Sequence, residues 1–278
     1  YHVKQTYGDE IPCSESTLRR LIHDGLLDVK DIDLPEVVKR KRRKKTRKLH
    51  NEVKKTSISK IGHQFADYNK LMESYTGIVV QMDCVEGKQT DRATLLTLHW
   101  PAIHMQIALI MNDHTAVEVV NILDKIEESL GSREMFSKYF GVILTDNGHE
   151  FMDIKRMERS IYGGTRTKIY FCEPNRSDQK AECECNHKLI RRIIPKGTSL
   201  ELYDQKDITL MMNHINSYKR NDIMGKSPYE LGRFMMPSDF SEFCVLLGLE
   251  EIPAEKVILA PKLLQNHSTK VSATEKVG

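Results

Sequence analysis

Three acidic residues, far apart in a chain of 278, stand where a carboxylate needs a reason. Asp83 falls in the middle of the apolar run Val79-Val-Gln-Met-Asp83-Cys-Val85, and Asp146 ends Val142-Ile-Leu-Thr-Asp146 just before Asn147-Gly148. Asp is disfavoured inside strands, and burying its charge without a partner is expensive. A cation would be such a partner. Glu184 lies in a segment with helical spacing that Pro195 and Gly197 close. With Glu184 at zero and about 100° per residue, Lys180, His187, Lys188 and Arg191 gather around it, and Leu189, Ile190, Ile193 and Ile194 form the opposite stripe. The same spacing of Lys180, Glu184 and Lys188 also suits a surface ion-pair ladder worth only ~0.3–0.5 kcal/mol per pair. Glu182 is a rival to Glu184, but it lies about 200° away on the wheel, in line with Leu189 and Ile193.

Three carboxylates from two strands and a helix can bind two hard divalent cations, Mg²⁺ or Mn²⁺, which prefer oxygen ligands and keep several waters. Two such ions about 3.5–4 Å apart clamp the attacking and leaving oxygens of an in-line phosphoryl displacement. In that arrangement Asp83, Asp146 and Glu184 are at once metal ligands and catalytic residues. Lys180, Lys188 and Arg191 would hold the DNA backbone beside them.

The elements that must position these residues follow from hydrophobic period. Strands are expected at 78–85, 93–99 and 104–111, joined by short polar turns as an antiparallel meander. A helix follows at 115–130 with Val119, Ile122, Leu123 and Ile126 as its stripe and Gly131 as its stop. The strand ending at Asp146, a short helix near 151–159, the strand 168–171 and the Glu184 helix complete the order β-β-β-α-β-α-β-α. That order predicts an α/β mixed sheet flanked by helices. Beyond it, 204–220 reads as a helix burying Ile208, Met211, Met212 and Ile215, and Ser227-Pro-Tyr-Glu-Leu231 opens another. Residues 265–278 read as a loose tail.

The formal charge of +3 is unevenly spread: residues 1–60 carry 16 Lys and Arg against 9 Asp and Glu, a net +7, and the remainder 26 against 30, a net −4. Nine of the ten residues 39–48 are cationic. Such a run is either a solvated linker or a sequence-independent phosphate contact, here through Lys39, Arg40, Lys41, Arg42, Arg43, Lys44 and Lys45. Before it, Ser14 caps an expected helix to Asp24 whose outer face holds Arg19, Arg20 and His23. That helix is either a lone amphipathic element or the last helix of a helix-turn-helix, in which case Arg19 and Arg20 face DNA. The start at Tyr1 without Met suggests the C-terminal part of a longer protein. No apolar run approaches the ~18 residues of a membrane span and no signal peptide is evident, which points to the cytoplasm and to reduced thiols. The six cysteines lack paired C-x₂-C spacing; a metal cluster would need Cys84 and Cys172 to approach Cys183 and Cys185, and otherwise these are buried thiols.

The chain resembles the insertion-sequence-thirty family of bacterial DDE transposases over 77–231. The resemblance rests on Asp83 before Glu86-Gly87, on Thr145-Asp-Asn-Gly-His-Glu-Phe151, and on Tyr170-Phe-Cys-Glu-Pro174. It also rests on Gln179-Lys180, Glu184 and Leu189-Ile-Arg191, on Pro195-Lys-Gly-Thr198, and on Asn216 with Gly225-Lys-Ser-Pro-Tyr-Glu230. Where many members read Trp-Gln-Arg-Gly-Thr-Asn-Glu, this chain reads Asp178-Gln-Lys-Ala-Glu-Cys-Glu184. The resemblance implies a ribonuclease-H-like catalytic core with Asp83, Asp146 and Glu184 as the metal-binding triad, preceded by a DNA-binding region of helix-turn-helix type. It implies hydrolytic nicking at transposon ends and attack of the freed 3′-hydroxyl on target DNA. The expected organisation is a partial DNA-binding region at 1–34, a basic linker at 35–70, the core at 71–200, a helical extension at 201–250 and a tail at 251–278. Double-stranded DNA, both transposon ends and target, is the expected partner of a homo-oligomer associated with the bacterial nucleoid. A DNA-binding regulator with an idle acidic site, or a simple nuclease of the same fold, are the alternatives.

Overall fold

The computed structural model describes residues 2–29, 60–174 and 176–264, and the side chains at 9, 177, 178, 181, 182 and 184 lie outside that description. Five strands form one sheet: β1 (Val79–Glu86), β2 (Thr94–Trp100), β3 (Met105–Met111), β4 (Val142–Thr145) and β5 (Lys168–Phe171), in the spatial order β3-β2-β1-β4-β5. β1, β2 and β3 run antiparallel, as hairpin-length connections allow. β4 lies parallel to β1, and β5 parallel to β4. Parallel neighbours need a crossover, and helices supply it. α4 (Ala116–Leu130) and α5 (Arg133–Tyr139) precede β4, while α6 (Ile154–Glu158) leads into β5. The expected α/β, ribonuclease-H-like mixed sheet flanked by helices is therefore the observed fold.

Alternation along the strands divides the core into two layers. Val80, Met82, Leu96, Leu98, Ile143 and Ile169 face the side covered by α4 and α5, where Trp100, Phe136, Tyr139 and Phe140 fill the space. Trp100 also donates its indole N–H to the Tyr139 carbonyl at 2.9 Å, so its one polar atom is satisfied. Val85 and Leu95 face the opposite layer, made by α7 (Ala181–Ile193) and α8 (Gln205–Asn216). Leu189, Ile190, Ile193 and Ile194 are buried there against Ile208, Met211, Met212 and Ile215, the two stripes expected from their spacing. Asn216 is fully buried and clamps α8 to β3, accepting from the Gln106 amide at 3.1 Å and donating to its carbonyl at 2.7 Å.

Short helices escape the periodic reading. α3 (Phe65–Met72) straddles the expected boundary between basic linker and core, and Phe65, Tyr68, Leu71 and Met72 pack on Leu144 and Tyr170 of β4 and β5. α9 (Pro228–Met235) and α10 (Phe240–Leu246) add Tyr229, Phe240 and Phe243 to the α4 layer. Ahead of them all, α1 (His2–Thr6) and α2 (Glu15–His23) stand at the N-terminal end. Ser14 caps α2 by accepting from Thr17 N–H, as its sequence predicts. His2 reaches the far end of the chain: its ring stacks on Tyr218 and its nitrogens bond Ala254 O at 3.1 Å and Lys219 N–H at 2.8 Å. The cationic run 39–48 and residues 265–278 lie outside the described residues.

Candidate active site

Parallel pairing of β1 with β4 sets Met82 opposite Thr145. Asp83 and Asp146, one residue further along each chain, are thereby brought side by side. Asp83 Oδ1 accepts from the Cys84 amide at 2.9 Å, and Asp146 Oδ1 accepts from the Gly148 amide at 3.0 Å, which fixes both carboxyl groups. Their second oxygens face one cation. Lys180 Nζ lies 3.2 Å from Asp83 Oδ2 and 3.9 Å from Asp146 Oδ2, and donates to the Met82 carbonyl at 3.3 Å. Burial works to lower the Lys180 pKa, but attraction from Asp83 and then Asp146 outweighs it and holds the ammonium above its ordinary value.

This corrects the expectation that Lys180 stands on the outer face with Lys188. Lys180 ends a 3₁₀ turn (Ser177–Lys180) and is the N-cap of α7, with φ −129° and ψ 32°. A helical wheel carried back from Glu184 does not apply to a residue that is not helical. Lys188 is exposed, as expected. Arg191 is half-buried, donates from Nη2 to Glu86 O at 2.5 Å, and leaves Nη1 buried without a hydrogen-bond partner among the described residues. Arg19 and Arg20 are exposed on α2, with Arg19 paired to Glu15 at 2.8 Å. Glu184 belongs to α7, one turn beyond Lys180 and three residues before His187.

A cleft of about 300 Å³ opens beside the acid pair. Asp83, Asp146, His187 and Arg191 line it, together with Cys84, which the sequence offers only as a cluster cysteine, and with Lys196, His114 and Glu150, which it does not offer as site residues. Only Lys196 and Glu150 stand in motifs that could have drawn attention to them. His187 is hydrogen-bonded to Thr97 Oγ1 at 3.1 Å and lies 3.4 Å from Cys183 Sγ. Burial lowers its pKa from 6.5 to about 4, opposed by Asp83 and reinforced by Lys180 and Arg191. Lys60 donates to Asn147 Oδ1 at 2.6 Å, and Asn147 to Cys172 O at 2.7 Å, holding the turn that follows Asp146.

Carboxylate oxygens that converge on an ammonium are a fitting donor set for a hard divalent cation, because the lysine already stands in for its charge. The cysteines form no common cluster among the described residues. Cys183 approaches Asp83 and His187, whereas Cys84 belongs to a separate group with His114 and Glu150. Cys172 is buried and Cys185 exposed.

No family model matches the chain. Curated relatives do. The integrase-like ORF3 protein of Spiroplasma virus SpV1-R8A2 B is 30% identical over 141 residues, 51% of this chain and 41% of that protein. The transposase of insertion sequence element IS1086 from Cupriavidus metallidurans is 31% identical over 71 residues, 26% of this chain and 21% of that protein. The transposase InsI of IS30A from Escherichia coli is 34% identical over 67 residues, 24% and 18%. The chain is similar to insertion-sequence transposases and to an integrase. It spans about two fifths of the viral protein's length and about a fifth of each of these two transposases. Among solved structures, the catalytic core domain of BIV integrase has a TM-score of 0.40 at 18% identity, covering 59% of this chain and 97% of that one. A chain of the simian T-cell lymphotropic virus intasome, solved with PP2A regulatory subunit B56 gamma, has a TM-score of 0.42 at 13% identity, covering 55% and 53%.

Proposed function

We propose that this chain carries the catalytic core of a DNA transposase that nicks insertion-sequence ends and transfers the freed strand to target DNA. The observation that carries the reading is the convergence of Asp83 and Asp146, from neighbouring parallel strands, on one buried cation position. Asp83 and Asp146, joined by Glu184 from α7, would hold two Mg²⁺ or Mn²⁺ ions. When bound, such ions activate a water or 3′-hydroxyl and stabilise charge on the leaving oxygen. Lys188, exposed on α7, and Arg191 and Lys196, at the cleft, supply cations for the DNA phosphates. His187, kept neutral by burial, holds the α7 side of Asp83 in place through Thr97, whose hydroxyl also donates to the Asp83 carbonyl at 3.0 Å. Strand transfer needs two ends held together, so the working form is a homo-oligomer on double-stranded DNA. Among the described residues no helix is long and apolar enough to cross a membrane.

One observation favours a second reading, a DNA-binding regulator with an idle acidic site: Lys180 already neutralises both aspartates. Two experiments separate them. With Mg²⁺ or Mn²⁺ the protein should nick and join end-containing DNA, and Asp146→Asn should abolish both while gel-shift affinity is kept; unchanged joining by that variant removes the enzyme. Calorimetric titration with Mn²⁺ should give binding that Asp146→Asn loses, whereas an idle site gives none. Cleavage without joining would indicate a nuclease.

A further inference from the structure

Strand alternation sends Asp83 and Cys84 to opposite faces of β1. Asp83 meets α7, while Cys84 packs on the α4 side, where it meets two residues from elsewhere in the chain. His114 comes from the turn just before Thr115, the N-cap of α4, and Glu150 from the 3₁₀ turn (His149–Phe151) that follows β4. One sulfur, one imidazole nitrogen and one carboxylate oxygen thus lie within 4.8 Å of one another. We propose that Cys84, His114 and Glu150 bind a borderline divalent metal ion of the Zn²⁺ type, at a site distinct from the all-oxygen acid pair.

Three observations carry this. The donor set is thiol, imidazole and carboxylate, which selects Zn²⁺ or Co²⁺ over Mg²⁺. His114 Nε2 is buried and, among the described residues, has no partner in hydrogen-bonding geometry, although it lies within ion-pair distance of Glu150 Oε1, at 3.0 Å. The two groups are close but badly aligned for a proton between them, as two ligands of a common ion are. The Glu150 carboxylate is also held inward: its side chain is 7% exposed, and it rests against Gly148, where an added Cβ would come within 2.4 Å of it. Tetrahedral zinc with bonds of about 2.0–2.3 Å sets its ligands roughly 3.3–3.8 Å apart. Closure from the observed spacing is then a shift of about an ångström. Three protein ligands leave a fourth position for water. His149, whose Nδ1 is 3.4 Å from Glu150 Oε2, stands beside it. Because Glu150 follows Asp146 by four residues, an ion here would brace the turn that carries Asp146 against β1 and the start of α4.

Cobalt(II) titration of the purified, metal-stripped protein reads the site without recourse to activity. The expected result is one equivalent of Co²⁺ with a thiolate-to-cobalt charge-transfer band and tetrahedral visible bands, displaced by Zn²⁺ and untouched by excess Mg²⁺. Cys84→Ser should abolish the charge-transfer band, and His114→Gln should weaken binding at least tenfold with an unchanged circular dichroism spectrum. Cys183→Ser and Asp146→Asn should keep the band. Absence of any saturable band in the parent protein overturns the proposal, as does a band that survives Cys84→Ser and vanishes in Cys183→Ser, which would assign the ion to Asp83, Cys183 and His187. Should Cys84→Ser fail to fold, an unaltered cobalt affinity in His114→Gln is equally fatal. Loss of strand transfer in Asp146→Asn with the cobalt band intact keeps this site separate from the transposase reading.

Discussion

Lys180→Met keeps the length of the side chain and removes its charge, so it isolates what the buried ammonium does for the two aspartates. The Lys180 side chain is 7% exposed and that of Asp83 16%, whereas Asp146 is 48% exposed. Removing one partner of a buried pair costs about 3–5 kcal/mol. The Asp146 arm, half in water, adds no more than about 1 kcal/mol. Because Asp83 borders a cleft and retains some water, the low end applies, about 3 kcal/mol in the absence of divalent ions. At about 2–4 °C per kcal/mol for a chain of roughly this size, the melting temperature in EDTA should fall by about 6–12 °C. A divalent ion at about 100 times its Kd returns ~2.7 kcal/mol. Mn²⁺ should therefore close most of the gap in Lys180→Met and raise the parent less, since in the parent an ion must first displace the ammonium. Differential scanning calorimetry in EDTA and in Mn²⁺ measures both. If the variant in EDTA melts with the parent, or if Mn²⁺ fails to rescue it, the aspartates do not share a cation position and the reasoning fails.

Other consequences are as direct. His187 titrates at about 4 when folded and 6.5 when unfolded, so below pH 6.5 the unfolded chain takes up the proton first. The stability that His187 contributes is complete above pH 6.5 and lost as pH falls toward 4, by about 2–3 kcal/mol at 1.36 kcal/mol per unit; urea unfolding of His187→Gln at pH 7 and pH 4.5 should show a flatter pH dependence than the parent. Arg166 is fully buried against Glu127 at 2.9 Å and Asp124 at 2.7 Å. Arg166→Met should cost about 3–5 kcal/mol in urea melts, with much of it recovered by adding Glu127→Leu, which removes the stranded charge. Gly148→Ala should cost about 1–3 kcal/mol by pressing on the Glu150 carboxylate, and Glu150→Ala in the same chain should relieve it.

The sheet is legible because its strands are short, mostly apolar runs, with Gly87 behind β1, Asn112 behind β3 and Gly141 ahead of β4 as breaks, and a long amphipathic helix between the third and the fourth. Asp83 stands inside β1, where propensity disfavours an acid, and Asp146 follows the last residue of β4 directly, so both are legible as carboxylates at a strand's edge of burial. α5 escapes the periodic reading because its seven residues begin at Arg133, capped by Ser132 directly behind the Gly131 that ends α4, and look like the loop they interrupt. α3 hid behind a Gln cap in a stretch dominated by charge. Lys180 departs from its expected face for a reason of geometry, since the wheel assumes that the helix extends back through a residue that is its cap. Cys84, His114 and Glu150 carry no shared pattern, being 30 and 36 residues apart. Their meeting depends on where β1, the start of α4 and the end of β4 come to rest, and pairwise spacing in a chain contains no trace of it.

The rung that pairs Met82 with Thr145 acts as a ruler. Neighbouring strands lie about 4.8 Å apart, so the gap between the acids on the next rung is calibrated by backbone amides and is indifferent to side-chain identity. Loops before β1 and beyond Asn147 can lengthen, shorten or change composition without disturbing that measurement. A single-residue insertion within 142–145, by contrast, would turn Asp146 to the other side of the sheet. Tolerance to insertion scanning should therefore drop sharply across those four residues and recover on either side.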